Sequence, residues 1–284
     1  MLLPQSINKK VKTPPIKIQG IKTKLIPFII SSLKWNGEGT YIEPFMGSGS
    51  VVFNIAPQKA ILSDTNKHII EFYNQVKNKK ITPSKTKLFL EKEGDLLRKN
   101  GKEHYYEIRS RFNEKHSPLD FLFLNRSCFN GLMRFNSKGG FNVPFCQKPD
   151  RFRQAYITKI CNQIKWVQSV IEDKDWQFIC QDWKSSVSSA QDNDLIYCDP
   201  PYFGRSADYF NQWTENDADD LANTLNNTNA SFAMSMWIQN KYRVNPKIKE
   251  WFPNNTILSY DHFYHVGASD GLRNKVEEGL ILNN

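Results

Sequence analysis

The feature that most constrains this chain is an alternation of strand and helix patterns that stops and then resumes far along the sequence. Ile21–Leu33 has helical spacing, TYIEPF (40–45) reads as a buried strand, and a glycine turn leads to a short helix beginning near Ser50. KAILSD (59–64) is a second strand, and Asn66–Val76 returns to helical spacing. Parallel neighbours need a crossover connection and a helix supplies it, so this order opens a parallel α/β sheet. The pattern returns with strands DWQFIC (175–180) and DLIYC (194–198), a helix over Glu215–Asn226, and strands over Ser231–Met236, Thr256–Tyr260 and Val276–Ile281. Residues 77–172 break it. They hold polar amphipathic helices over Thr82–Asn100 and Glu103–Glu114, and the apolar-faced helix SPLDFLFLNRSCFNGL, whose Pro118 suits a first turn. A hairpin, RFNSKGGFNVPF (134–145), turns on Ser-Lys-Gly-Gly, and a long helix covers Arg151–Ile171. The expectation is an α/β body split in sequence, 1–76 and 173–284, around an inserted, mostly helical unit, 77–172, that carries a β-hairpin.

Composition narrows what such a body can meet. The 284 residues carry a net charge of +9, which favours a polyanionic partner. Residues 1–37 hold seven lysines and no acid, and Asn130–Lys165 holds seven Lys or Arg against Asp150 alone. No apolar run approaches the ~18 residues that span a bilayer. The start, MLLPQSINKKVKTPP, is polar and broken by prolines, so a cytoplasmic protein without membrane contact is expected. The five cysteines stand singly with no Cys-x-x-Cys pair, so neither a disulfide framework nor a bound metal is expected.

Two clusters carry chemistry. In EPFMGSGS (43–50), Gly47 and Gly49 follow a strand directly, where missing side chains let backbone approach a ligand. Asp64 ends the next strand, placed where an acid in a doubly wound sheet accepts hydrogen bonds from a ribose. Position 52 is Val, so the third glycine of a dinucleotide fingerprint is missing. The second cluster, Asp199-Pro200-Pro201-Tyr202, closes the strand DLIYC, and the prolines leave the Pro200 carbonyl without a neighbouring strand donor. A carboxylate beside a carbonyl is a pair of acceptors suited to a planar amino group, and Tyr202 offers a flat face on which a base stacks, worth ~1–3 kcal/mol.

With these residues in place, the sequence resembles the Dam-type (alpha-class) adenine-specific DNA methyltransferases along nearly its whole length. KIQGIK, YIEPFMGSGS, LSDTN, FLNRSCFNGLMRFNSKGGFNVPF, CDPPY and KVEEGLILN occur in the family's order. The resemblance implies a Rossmann-like S-adenosylmethionine-dependent methyltransferase sheet with an inserted, mostly helical DNA-recognition subdomain carrying the β-hairpin. It implies that Glu43, Pro44, Phe45, Gly47, Ser48, Gly49 and Ser50 surround the methionine part of S-adenosylmethionine and that Asp64 holds its ribose. Asp182 and Trp183, in the family's position after the fourth strand, face its adenine, and Asp199 borders it. Lys22 matches the lysine of the family's N-terminal motif. Ile18 and Ile21 replace that motif's tryptophan and second glycine, which leaves Ile18 as a positional cofactor neighbour.

The same resemblance assigns catalysis to Asp199, Pro200, Pro201 and Tyr202, with S-adenosylhomocysteine as product and no metal. Hydrogen bonds from an adenine amino group to Asp199 and the Pro200 carbonyl localise its lone pair for in-line attack, and the base must leave the duplex to reach them. Asn130, Leu132, Arg134 and Pro144 occupy the family's base-reading hairpin, with GATC as the leading site. Lys17, Lys148, Arg151 and Arg153 are candidates for phosphate or flanking contacts. Double-stranded DNA is the expected partner, a restriction endonuclease is one that the resemblance allows, and a monomer or weak dimer is expected. Methylation of a cytosine amino group or of RNA, and a non-catalytic DNA-binding role on the same scaffold, are the alternatives. The aspartate of the DPPY stretch favours adenine.

Overall fold

The computed structural model describes residues 10–202, 213–240, 242–263 and 275–283. Helix α1 (Ile26–Ser32) leads into β1 (Tyr41–Glu43), α2 (Val52–Ile55), β2 (Lys59–Asp64) and α3 (Lys67–Lys77). Four helices follow without a strand between them: α4 (Pro83–Asn100), α5 (Lys102–Lys115), α6 (Pro118–Ser127) and α7 (Gln154–Ile171). The remainder is β3 (Asp175–Cys180), α8 (Trp183–Val187), β4 (Leu195–Cys198), α9 (Glu215–Asn226), β5 (Ser231–Asn240), α10 (Ile248–Trp251), β6 (Thr256–Phe263) and β7 (Lys275–Leu282). Among the described residues the strands form one sheet in the order β3-β2-β1-β4-β5-β7-β6. The first five in that order are parallel, and β7 runs antiparallel between β5 and β6.

Both faces of this sheet are covered, which is why its central strands read as near-continuous apolar runs. Tyr41, Leu62, Tyr197 and Leu280 enter one buried cluster with Ile29 of α1 and Phe72 of α3. Their neighbours Ile42, Ile196, Phe232 and Ile281 enter a second cluster with Leu221 of α9 and Trp251 of α10. The first cluster continues without a break into the four helices, through Leu90, Ile108, Phe121 and Ile160. Charge reinforces that packing: Arg111 donates to both carboxylate oxygens of Asp120 at 2.9 and 2.6 Å and to Glu93 at 3.2 Å, tying α4, α5 and α6. Helix starts carry the caps their sequences promise. Asn66 accepts from the His68 N–H at 3.1 Å, and Thr214 and Asp217 cap each other at 3.2 and 2.8 Å.

Several boundaries differ from the sequence reading for local reasons. Helix α1 begins at Ile26 because the Lys22 carbonyl accepts from Leu25 and Ile26 in a preceding turn, at 2.7 and 3.1 Å. Strand β5 runs on to Asn240, past the end of its apolar alternation, because β7 continues its ladder across an irregularity between Trp237 and Gln239. Residues 134–145 close as a hairpin through the single bridge Phe135–Phe141, without an extended ladder. The strand before Asp182 is the third in the chain rather than the fourth.

Strand β1 is bordered by β2 on one side and β4 on the other, so the strand order reverses there. In an open α/β sheet that reversal leaves a crevice beyond the strands' carboxyl ends. Glu43, Asp64 and Asp199 stand at or just past those ends. No described helix is long and apolar enough to cross a membrane.

Candidate active site

The crevice begins with a turn only glycine makes easily. Gly47 and Gly49 have φ of +51° and +71°, in the left-handed region that strains any other residue. A Cβ on Gly47 would lie 3.1 Å from Cδ1 of Ile18, so the Ile18 side chain rests against this turn. A Cβ on Gly49 would lie 2.5 Å from the Phe53 ring and 2.8 Å from Cε of Met46. Gly49→Ala is therefore expected to lower stability by about 1–3 kcal/mol, through strain and overpacking, as a fall in thermal midpoint. The Gly47 N–H donates to Asp64 at 2.8 Å, and the Asn66 N–H donates to the other Asp64 oxygen at 2.8 Å. Burial raises the Asp64 carboxyl above its ordinary value, and those two N–H groups hold it back. Ser48 is buried, its carbonyl accepts from the Tyr73 hydroxyl at 2.6 Å, and its own hydroxyl has no partner among the described residues. Phe45 meets Trp213 edge-on at 5.5 Å, beside the buried Pro44 and Ser50.

One strand over, Glu43 is buried and accepts from the Tyr41 hydroxyl at 2.9 Å. Burial pushes its carboxyl well above the usual carboxylate range, the Tyr41 and Val52 donors oppose this, and the charges of Asp199 and Asp64 add to it. Asp182 and Trp183 sit at the start of α8. The Asp182 side chain accepts from the Lys184 N–H at 2.8 Å, and Trp183 is buried in the second cluster.

Beyond β4, four residues from distant parts of the chain share one set of contacts. Lys22 Nζ lies 2.9 Å from Asp199 and 3.6 Å from Glu278. It also donates to the Tyr202 hydroxyl at 2.7 Å, and that hydroxyl donates to Glu278 at 2.6 Å. The ammonium is 4.7 Å from the Tyr202 ring centre, so it engages the hydroxyl end of that side chain rather than the ring face. Asp199 is the open member: its side chain is 23% exposed, against 4% for Lys22 and 3% for Glu278. Burial raises the Asp199 carboxyl, Lys22 pulls it back, and the charge of Glu278 adds to the rise. Pro200 is buried and Pro201 half-buried beside it. The Cys198 thiol is buried and pushed far up by burial and by the Asp199 and Glu43 charges, which makes it inert as a nucleophile. Among the described residues no three His, Cys, Asp or Glu side chains are grouped to hold a metal.

A partly exposed carboxylate with one oxygen held by a buried ammonium is equipped to accept hydrogen bonds from a donor group. Comparison with known proteins names the group of enzymes. Residues 19–266 match the model of the D12 class N6 adenine-specific DNA methyltransferases. The chain belongs to that family. It is 32% identical over 252 residues to a DNA adenine methylase of Vibrio cholerae, covering 85% of this chain and 86% of the relative. It is 27% identical over 289 residues to the type II methyltransferase M1.LlaDCHI of Lactococcus lactis subsp. cremoris, covering 97% of both. A DNA adenine methylase of Escherichia coli strain K12 is 34% identical over 172 residues, covering 58% of this chain and 57% of the relative.

In this D12-class methyltransferase the residues expected to meet DNA lie on and around the hairpin, and Lys17 adjoins Ile18, which rests against the Gly47 turn. The exposed Asn130 has φ of +53° at the head of the segment, Leu132 is half-buried, and Pro144 is exposed with its carbonyl accepting from the Phe129 N–H at 2.8 Å. Arg134 donates to Asn142 across the hairpin at 3.0 Å. Lys17 is pinned to Asn125 by two backbone bonds of 2.8 Å. Arg151 donates to the Arg126 carbonyl at 2.7 Å, and Arg151 and Arg153 flank the Tyr156 ring at 5.2 and 5.3 Å. Lys148 is exposed nearby in sequence. Burial lowers the Lys17 ammonium to about 8, with Arg126, Arg151 and Lys159 pressing it the same way. Burial likewise lowers Arg126 to about 10, with Arg151 next in effect.

Two participants were not singled out from sequence. Arg126 lies inside an apolar helix and is buried, a position a cation seldom takes without a partner. Glu278 sits within KVEEGLILN, on the face of β7 that also carries Leu280 and Leu282. A carboxylate at a core-facing position of an alternating strand is the signal that marks it.

Proposed function

We propose that this chain transfers a methyl group from S-adenosylmethionine to the exocyclic amino group of an adenine flipped out of double-stranded DNA, within GATC. The observation that carries the reading is the partly exposed Asp199 held by Lys22 just past β4, at the same carboxyl edge of the sheet as the Gly47–Ser50 turn after β1. The crevice fits the donor: the Gly47–Gly49 turn lets backbone approach, Asp64 offers carboxylate oxygens for a ribose, and the buried Ser48 hydroxyl awaits a partner. When bound, S-adenosylmethionine supplies an electrophilic methyl on a sulfonium.

The chain's own residues then do the rest. Lys22 keeps one Asp199 oxygen occupied and the carboxylate ionised. The other oxygen and the Pro200 carbonyl accept the two amino hydrogens, drawing the nitrogen lone pair out of the purine ring and aiming it. Tyr202, its hydroxyl held by Lys22 and Glu278, supports the extruded base. The unpaired cations around Lys17, Arg126, Arg151 and Arg153 support a polyanion path, because no ion pair joins them to an acid among the described residues. The test is incubation of purified protein with plasmid DNA and isotopically labelled S-adenosylmethionine, followed by mapping of the modified base. Label on the adenine amino group within GATC is expected; label on cytosine or on no base overturns the reading.

Site choice rests on the hairpin. The planar fork of Arg134 suits a guanine edge, so Arg134→Ala is expected to lose ~1–3 kcal/mol of discrimination at one guanine. Methylation rates on duplexes substituted at each position of the site measure this, and unchanged preference removes Arg134 from base reading. Relatives named DNA adenine methylase and relatives named type II methyltransferase both match. The same chemistry thus serves a chain acting alone or beside a restriction endonuclease, and the neighbouring genes distinguish the two.

A further inference from the structure

A fully buried asparagine holds the backbone of one of the lysines expected to meet DNA. We propose that Asn125 is a positioning residue for DNA binding: its carboxamide fixes the Lys17 backbone so that the lysine stem crosses the head of the hairpin and its ammonium meets a DNA phosphate. The proposal rests on the functional reading above and deepens it.

Asn125 lies in α6 among buried apolar neighbours and has no exposure of its own. A carboxamide in such a place is costly unless it is bonded. Its partners are the two backbone groups of one distant residue. Oδ1 accepts from the Lys17 N–H and Nδ2 donates to the Lys17 carbonyl, each at 2.8 Å. A neighbouring antiparallel strand would supply the same pair of bonds. Two bonds to a single residue fix its rotation as well as its position, and the direction in which its side chain leaves is fixed with them.

The chain before Lys17 is hung in the same manner. Arg126 donates to the Pro15 carbonyl at 3.2 Å, and Gln163 of α7 donates to the Thr13 carbonyl at 3.0 Å. Asn54 of α2 accepts from the Lys12 N–H at 3.0 Å and donates to the Lys12 carbonyl at 2.9 Å. Residues 12–17 are thus carried by side chains of α2, α6 and α7, with Asn125 the last hold before the Lys17 side chain departs.

Gly131 shows where that side chain goes. A Cβ on Gly131 would lie 3.3 Å from Cδ and 3.6 Å from Cβ of Lys17, so the stem rests on the glycine between Asn130 and Leu132. The φ of Gly131 is +67°, which few other residues could adopt there. Burial lowers the Lys17 ammonium to about 8, Arg126, Arg151 and Lys159 press it the same way, and Cys128 opposes them. Cations held in such company gain from an anion brought among them, and a phosphate is the anion that duplex DNA offers.

The test is a double-mutant cycle read through salt dependence. Fluorescence anisotropy at pH 7 measures the dissociation constant of a GATC duplex over a series of salt concentrations. Lys17→Met lowers the slope of log Kd against log salt by about 0.9, the value of one phosphate contact, and weakens binding about tenfold. Asn125→Ala removes no charge, yet lowers the slope by the same step. The double variant binds no more weakly than Lys17→Met alone. In the apo-protein, carbon-13 NMR at Lys17 Cε follows the ammonium from about 8 in wild type toward the ordinary lysine value in Asn125→Ala, as the side chain leaves its buried seat.

An Asn125→Ala slope equal to wild type, with an affinity loss that adds to that of Lys17→Met, overturns the proposal, because support of the fold alone predicts it. An unmoved Lys17 titration overturns it as well. Where Asn125→Ala fails to fold, Asn125→Ser, whose side chain is too short to span both backbone groups, decides by the same criteria. Wild type that binds the duplex and methylates no adenine refutes the functional reading instead, and the cycle still decides the role of Asn125.

Discussion

Replacing Asp199 by alanine is expected to lower methyl transfer by at least ~10³-fold while DNA affinity changes by less than about threefold. On the proposed reading, the variant loses the acceptor for the substrate amino group. It also leaves the Lys22 ammonium, 2.9 Å from that carboxylate in the native chain, pointing into the crevice. That ammonium, still held by Tyr202 and Glu278 but no longer facing Asp199, repels positive charge developing on a substrate nitrogen. DNA affinity is retained because its largest part comes from phosphate contacts, and the cations suited to those lie around Lys17, Arg126 and Arg151. Single-turnover transfer of labelled methyl and a mobility-shift titration at fixed salt measure the two quantities. Asp199→Asn keeps the volume and one carbonyl acceptor, so it should fall between alanine and wild type. Wild-type methylation by the alanine variant removes Asp199 from the chemistry.

Lys22→Met is expected to slow transfer by about 10²-fold near neutral pH, with partial recovery as pH rises. On the proposed reading, Asp199 accepts the amino hydrogens as an ionised carboxylate. Burial raises its folded value above the usual carboxylate range, and Lys22 is the group that pulls it down. Without the ammonium the value climbs further, a smaller fraction is ionised at neutral pH, and more alkaline buffer restores it. Stability follows with a defined sign. A carboxyl raised by folding contributes stability that is full below its unfolded value and is lost as pH rises through its folded value. The thermal midpoint of Lys22→Met should therefore fall more steeply than that of wild type on going from acid to alkaline buffer. A pH–rate profile displaced downward, or no displacement, contradicts this account of Lys22.

Local chemistry made much of the fold readable. Strands β2 and β3 match their apolar runs, α9 matches its capping box, and Asn66 and Thr82 cap the helices they precede. The glycine turn after β1 and the carboxylates at the strand ends were equally plain, because a parallel sheet puts its ligand-facing groups at one edge. Two things had no local signal. The insertion of β7 between β5 and β6 is a choice among pairings that any apolar strand could make, and only tertiary contact decides it. The association of Lys22 with Asp199 and Glu278 joins three segments far apart in sequence, so no spacing rule reaches it. Lys22 is among the residues the resemblance assigns to the methyl donor, and its ammonium lies against Asp199, Tyr202 and Glu278.

The position of β7 also bears on when this protein can begin to work. Its residues pair on both sides, with β5 and with β6, although they follow both of those strands in the chain. Until residues 275–282 are synthesised, β5 and β6 lack the strand that joins them, and Lys22 lacks its contact with Glu278. A nascent chain can thus form the glycine turn after β1 before the contacts of Lys22 with Glu278 exist, and those contacts close only when β7 takes its place between β5 and β6.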